Sequence, residues 1–283
     1  MEWIEVFKAV LFGIIEGITE WLPVSSTGHM ILLDELVTID LSSQFKSMFL
    51  VVVQLGAIMA VVMLFWKNIW PFPRKYNSVT GKKGFGVNRS IINLWLKILV
   101  ACVPAGIVGI LFDEQIDELF YNYLTVAIML IVVGIAFIII ENYNKNRRPQ
   151  ILESEQITYK IAIIIGVFQL VSAVLPGTSR SGATILGGIL IGLSRQLAAE
   201  FTFYLAIPVM FGASVLKLVK MDYSLMGALE WTTLITGMLV AFAVSYLVIN
   251  FLMNYIRKND FKVFGYYRIA LGALVLLYFA VLA

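Results

Sequence analysis

Gly13-Ile-Ile-Glu16-Gly-Ile-Thr-Glu20-Trp-Leu-Pro23-Val-Ser25-Ser26-Thr27-Gly28-His29 returns later in the chain as Gly166-Val-Phe-Gln169-Leu-Val-Ser-Ala173-Val-Leu-Pro176-Gly-Thr178-Ser179-Arg180-Ser181-Gly182. The two copies are offset by 153 residues and align without a gap, so that Gly13 meets Gly166, Glu16 meets Gln169, Pro23 meets Pro176, and Ser25-Ser26 meet Thr178-Ser179. Each copy places polar, helix-breaking residues inside apolar surroundings. In a membrane that combination marks a working site assembled from two related half-sites.

The membrane setting follows from composition. The chain is 60% hydrophobic and 14% charged with mean hydropathy +0.89, whereas soluble chains carry about a quarter charged residues. A bilayer core needs roughly 20 apolar residues per helix, and six apolar windows are the candidate spans. They are Met48 to Trp66, Ile98 to Phe112, Leu119 to Ile140, Ala198 to Leu216, Leu229 to Met253 and Phe264 to Ala283. The stretch Trp3 to Leu22 is expected to stay in the mature fold, because Glu2 and Glu5 replace the basic start of a signal peptide and Glu16 and Glu20 interrupt its apolar part. The single Cys102 excludes a disulfide within one chain.

Charge placement gives an orientation. Between Lys67 and Lys97 every charge is basic (Lys67, Arg74, Lys75, Lys82, Lys83, Arg89, Lys97), as are Lys145, Arg147 and Arg148 further on. The positive-inside rule makes both loops cytoplasmic and leaves nucleic acid an unneeded explanation for them. Asp113, Glu114, Asp117 and Glu118 then fall outside. Arg257, Lys258 and Lys262 are also inside only if residues 158 to 193 enter and leave on the same face. That segment is expected to be a re-entrant hairpin, and residues 4 to 34 its partner from the outer face. The arms 26–36 and 181–193 are too short to cross alone. The expected fold is therefore all-α and polytopic, a single membrane domain with six transmembrane helices and two re-entrant helical hairpins whose tips meet near the midplane. Repeat 1 spans about 1–145 and repeat 2 about 155–283, in inverted topology.

The motif residues carry a recognisable chemistry. Glu16 and Glu20 stack on one helix face, and two carboxylates at depth need neutralising by a shared divalent cation, a proton, or a base such as His29 or Arg180. Glu2 and Glu5 instead fit a solvated helix face. After Pro23 and Pro176, the hydroxyl residues Ser25, Ser26 and Thr27, and Thr178, Ser179 and Ser181, suit the start of a new helix. Free N–H groups and the positive dipole end there favour phosphate. Arg180 adds a planar, permanent cation. His29, the only histidine, lies three residues after Ser26 and is placed to hold or accept a proton at a phosphoryl centre. The inventory fits phosphoryl transfer.

The block Glu16-x-x-x-Glu20 with Pro23-Val-Ser25-Ser26-Thr27-Gly28-His29, followed by Pro176-Gly-Thr-Ser179-Arg180-Ser181-Gly182-Ala-Thr184, closely resembles the undecaprenyl-diphosphate phosphatase family, also called bacitracin-resistance proteins. The likeness extends to Gln54-Leu-Gly-Ala, Gly192-Leu-Ser194-Arg195 and Glu200-Phe-Thr-Phe. It implies a bacterial inner-membrane enzyme that hydrolyses the C55 polyprenyl diphosphate to the monophosphate carrier of cell-wall synthesis, with its active site open to the outer face and a divalent cation, Mg or Ca, as cofactor. It implies Glu16 and Glu20 as the acidic motif and metal ligands, Ser26 as favoured nucleophile, His29 as catalytic imidazole and Arg180 as phosphate clamp. Ser25, Thr27, Gly28, Gln54, Ser179, Ser181 and Thr184 would line the pocket. Attack by Ser26 with Glu20 as base, and attack by water with His29 or a metal, both stay open. Expected partners are undecaprenyl diphosphate and the lipid bilayer, not nucleic acid, with a homodimer left open.

Two other classes compete. Acid-phosphatase-like lipid phosphatases place a nucleophilic histidine six residues after their Ser-Arg arginine; that position here is Leu186, which rejects the class. A secondary transporter or flippase would share the inverted repeats and buried carboxylates, but it has no need of a nucleophile beside an anion clamp.

Overall fold

In the computed structural model, residues 2–76 and 83–282 are described. Lys82 of the basic loop, and the side chains of Glu2, Arg74, Lys75, Lys83, Asp113, Glu114 and Asp117, lie outside the described set. The elements run α1 (Glu2–Thr19), α2 (Ser26–Leu36), α3 (Ser43–Leu64), α4 (Trp66–Ile69), β1 (Arg74–Tyr76), β2 (Lys83–Phe85), α5 (Arg89–Phe120), α6 (Tyr123–Asn144), α7 (Tyr159–Val174), α8 (Arg180–Ile191), α9 (Arg195–Lys220), α10 (Ala228–Ile256) and α11 (Lys262–Leu282). The architecture is helical, as expected; the described residues add a three-residue antiparallel ribbon β1–β2 within the basic loop.

Six helices have the length and composition to cross a membrane: Ser43–Leu64, Arg89–Phe112, Tyr123–Asn144, Arg195–Lys220, Ala228–Ile256 and Lys262–Val281. They coincide with the six expected windows, and the protein is a multi-pass membrane protein. In α5 the span gives way at Phe112, whose φ of −131° and ψ of 15° break the helix, so the acidic stretch after it is a separate helical piece rather than the start of the next span. Side chains such as Met63, Val103, Ile110, Leu239 and Leu247 point outward, as a lipid-facing surface requires. Trp66, Trp70, Tyr123 and Tyr143 stand at span ends, where amphipathic rings favour the membrane–water boundary.

The four remaining long helices come as two pairs. α1 and α7 end just before Pro23 and Pro176, and α2 and α8 restart after them with serine caps. At 1.5 Å per residue, α2 and α8 reach only about 17 Å, against a hydrocarbon core of about 30 Å. Each pair packs on a span from the opposite half of the chain, α1 on α10 and α7 on α5. These contacts are backbone-close. A Cβ on Gly13 would stand 2.7 Å from the Gly237 carbonyl oxygen, and one on Gly166 would stand 2.4 Å from that of Ala101. The duplicated glycines thus do the same work, since small residues let helices approach where lipid gives no hydrophobic drive to associate. α6 and α11 meet likewise through Gly134 and Gly265.

Glu5 departs from the expected solvated face. It is buried, its Oε1 accepts from Lys8 at 2.7 Å and its Oε2 from the Asp40 N–H at 2.9 Å, because the loop after α2 folds back over α1.

Overpacking a tight core site costs on the order of 1–3 kcal/mol. Gly134→Leu is therefore expected to lower the thermal midpoint of the detergent-solubilised protein, whereas Gly106→Leu, with nothing within 4 Å of its Cβ position, should leave it near wild type. Equal midpoints for the two variants would contradict this packing.

Candidate active site

The helix restarts build the site. Ser25 caps α2 by accepting from the Gly28 N–H at 3.4 Å, and Ser179 caps α8 by accepting from the Gly182 N–H at 3.1 Å. Both cap serines have positive φ, 74° and 69°, in a region that residues with a Cβ avoid. Such strain costs of order 1–3 kcal/mol per residue and persists where the surroundings over-determine it. The matched caps also correct the gapless alignment. Ser25 corresponds to Ser179, not Thr178, because the second turn contains one extra residue and bends through Gly177 at φ 90°. In this register Ser26 and Arg180 are equivalent, each the first residue of its helix.

One guanidinium holds the two turns together. Arg268 of α11 is fully buried; it donates to the Pro23 carbonyl at 3.1 Å and to those of Gly177 and Thr178 at 2.8 and 2.9 Å. Carbonyls freed by a broken helix and hidden from water need a donor. Arg268 supplies it to both turns at once.

Between the turns lies a cavity of about 200 Å³ whose walls include Glu20, Ser26, Thr27, Gln54, Ser179 and Arg180. The Ser26 hydroxyl donates to Glu20 Oε2 at 2.9 Å, and Arg180 Nη2 donates to Glu20 Oε1 at 2.8 Å. Arg180 Nη1 also donates to the Thr202 carbonyl at 3.0 Å. Glu20 is fixed further through its own carbonyl, which accepts from the buried Ser181 hydroxyl at 3.1 Å. Its neighbour Trp21 is buried edge-on against Phe203, which anchors the first turn. Thr184 sits one turn into α8, its hydroxyl 2.8 Å from that of Thr202. It supports the arginine helix rather than facing the cavity.

Glu16, Gly28 and His29 lie behind or beside this cavity. Glu16 is buried, and its Oε1 has no hydrogen-bond partner among the described residues. The equivalent Gln169 is buried as well, with both amide atoms unpartnered. Gly28 packs beneath Leu130, whose Cδ1 leaves 3.0 Å for an added Cβ. The His29 ring points to α11. Its Nδ1 lies 2.7 Å from the Ser25 carbonyl, which can only accept, so Nδ1 carries a proton. Its Nε2 lies 2.7 Å from the Tyr267 hydroxyl, and the two rings stack at 5.6 Å. Tyr267, Arg268, Thr202 and Ser172, the last on the cavity wall, were not singled out in the sequence. For Arg268 a signal existed, a charge inside the apolar window 264–283.

No group of three or more His, Cys, Asp or Glu suited to a metal occurs among the described residues. The paired carboxylates nonetheless fit a divalent cation: Glu16 offers an orphaned oxygen one helical turn from Glu20.

The model of the bacitracin resistance protein BacA family matches residues 9–274. The chain belongs to that family. It is 58% identical over 280 residues to the undecaprenyl-diphosphatase of Desulfitobacterium hafniense, covering 99% of this chain and 98% of that one. Identity is 56% to undecaprenyl-diphosphatase 1 of Clostridium acetobutylicum (99% and 100% covered) and 54% to an undecaprenyl-diphosphatase of Enterococcus faecalis (99% of each). The secondary-transporter alternative finds no support among these relatives.

Leaving buried carbonyls without donors costs about 1–3 kcal/mol each. Arg268→Met should therefore lower the thermal midpoint in detergent, with Arg268→Lys recovering part of the loss. A wild-type midpoint for the Met variant would remove Arg268 from its place between the turns.

Proposed function

We propose that the protein hydrolyses undecaprenyl diphosphate to undecaprenyl phosphate and inorganic phosphate, recycling a lipid carrier of cell-wall synthesis and so conferring bacitracin resistance. The single observation that carries the mechanism is the chain Ser26–Glu20–Arg180, a hydroxyl donating to a carboxylate that also holds the clamp arginine, on the wall of one cavity.

Glu20 is placed to accept the Ser26 proton, activating a hydroxyl that is weak on its own. The Ser26 oxygen attacks the terminal phosphorus, and the bond from that phosphorus to the bridging oxygen breaks, so undecaprenyl phosphate leaves. Glu20 gives that proton to the departing phosphate oxygen, then takes one from water, which attacks the phosphoserine; the P–Oγ bond breaks, Glu20 returns this proton to Ser26 and inorganic phosphate departs. Three of the five N–H groups of Arg180 are engaged, by Glu20, the Thr202 carbonyl and the Met210 sulfur, leaving two for phosphoryl oxygens as charge builds on them. The N-terminal N–H groups of α2 and α8 open on the same cavity and favour the anion. His29, occupied on both ring nitrogens, serves in this reading to hold the strained Ser25 carbonyl and with it the start of α2.

A Mg or Ca ion held by Glu16 and Glu20 would neutralise negative charge of the carboxylates and the diphosphate. Without it, Glu16 Oε1 is a buried oxygen with no hydrogen-bond partner among the described residues.

The two helix pairs are re-entrant hairpins in this proposal, entering from opposite faces in an inverted repeat. The shortness of α2 and α8 and the exchanged packing of α1 on α10 and α7 on α5 support it. With Arg147 and Arg148 cytoplasmic and Glu118 outside, the enzyme sits in the inner membrane with its cavity opening outward.

Purified protein should release phosphate from a polyprenyl diphosphate, and lose that activity on chelation until Mg or Ca is restored. Ser26→Ala, Glu20→Ala and Arg180→Ala should each lower kcat/KM by about 10²-fold or more. Wild-type turnover by Ser26→Ala would replace serine attack by water attack. In a Cys102→Ser background, cysteine at Glu118 but not at Arg148 should react with an impermeant thiol reagent in intact cells; the reverse pattern would invert the orientation.

A further inference from the structure

A second and larger cavity, of about 400 Å³, opens at the far end of α8 from the catalytic one. Arg180 begins that helix in the catalytic cavity, and Ile189, Leu190 and Ile191 end it in this one. At 1.5 Å per residue the two ends are about 17 Å apart, so the cavities are separate. The remaining walls are the C-terminal end of α6 at Asn144, the connecting segment through Arg147, Arg148 and Gln150, and the first residue of α9, Arg195. α6 and α9 have the length and composition of membrane-crossing helices, which puts the cavity at a membrane surface, the face carrying Lys145, Arg147 and Arg148.

Its walls are built rather than loose. The N–H groups of Gln150 and Ile151 both donate to the Gly192 carbonyl, at 2.9 and 3.1 Å, and the Ser194 N–H donates to the Ile151 carbonyl at 2.9 Å. Gly192 permits the turn with φ 108°. Arg195 is locked by Glu141, whose oxygens accept from its Nε at 2.9 and 3.1 Å and whose Oε1 also accepts from the Phe261 N–H at 3.0 Å. The Arg147 guanidinium lies 3.7 Å over the Tyr143 ring, held by a face that leaves its N–H edge open to an anion. Arg148 is exposed, and neither it nor Arg147 has a carboxylate partner among the described residues. Glu141 pairs with Arg195 and Asp260 acts on the same guanidinium from further off, so Arg147 and Arg148 leave a surplus of positive charge beside the apolar wall of Ile189, Leu190 and Ile191.

We propose that this cavity binds the phosphate headgroup of an anionic membrane phospholipid. Guanidinium groups match phosphate oxygens in charge and planar geometry, and basic pockets between transmembrane helices at the cytoplasmic surface suit such headgroups. The apolar wall selects an amphiphile over a free anion, because the start of an acyl chain covers Leu190, which is otherwise exposed. None of the residues lining it enters the reaction proposed above, so the proposal stands apart from the catalytic reading.

The test is thermal unfolding of the detergent-solubilised full chain with added phosphatidylglycerol, phosphatidylcholine or inorganic phosphate, on wild type and on an Arg147→Gln/Arg148→Gln double variant. Arg195 is left intact because its pair with Glu141 is structural. Saturating phosphatidylglycerol should raise the wild-type midpoint by roughly 5 °C over phosphatidylcholine, and that difference should vanish in the double variant. Unchanged phosphate release by the variant in detergent certifies its fold. An equal rise in the double variant, or no rise over phosphatidylcholine in wild type, would overturn the site. The full rise with inorganic phosphate alone would overturn the lipid assignment.

Discussion

Buried backbone polar groups must be paired inside the protein when the surroundings are hydrocarbon, and this constraint shapes the molecule around its two broken helices. Pro23 and Pro176 free carbonyls at the centre of the fold, and Arg268 gathers three of them from both turns. Breaking the helices inside the protein brings two helix N-termini to one cavity, and the same guanidinium fixes their relation. The strained cap serines persist because Ser25 and Ser179 are each committed to a helix start within this frame.

On that frame the two halves divide the work. The first contributes Glu16, Glu20 and Ser26; the second contributes Arg180, with Gln169 and Ala173 where the first has its carboxylates. The cap register makes the division sharper. Ser26 and Arg180 occupy equivalent first positions of α2 and α8, so one helix start presents a hydroxyl and the other a permanent cation, and both meet at Glu20. In the proposed reaction, the equivalent first positions of the two turns serve as attacking group and clamp.

Much of this was legible in the chain. The six spans followed from long apolar windows, whose signal depends on composition alone; of the cavity residues, Glu20, Ser26, Thr27, Ser179 and Arg180 were named from the duplicated motif and Gln54 from the family resemblance. Other features were not legible. The one-residue slip at Gly177 leaves no mark in a gapless alignment, because Thr178 can stand in for a cap serine on chemistry and only backbone geometry separates them. The spacing of His29 from Ser26 suggested a shared face, yet a residue four along from Ser25 can equally turn back to that carbonyl, and Tyr267, 238 residues away, takes the other nitrogen. Glu5 looked solvated because, although Lys8 at i+3 is a local partner, nothing local foretells that the Asp40 backbone closes over it.

In the proposed reaction Ser26, activated by Glu20 and opposed by Arg180, accepts the phosphoryl group. Acid quench during steady-state turnover of a polyprenyl diphosphate, followed by peptide mass spectrometry, tests this directly. A phosphorylated peptide mapping to Ser26, absent without substrate, is expected. Full turnover with an unmodified Ser26 peptide at every quench time, and with Ser26→Ala still active, would contradict it.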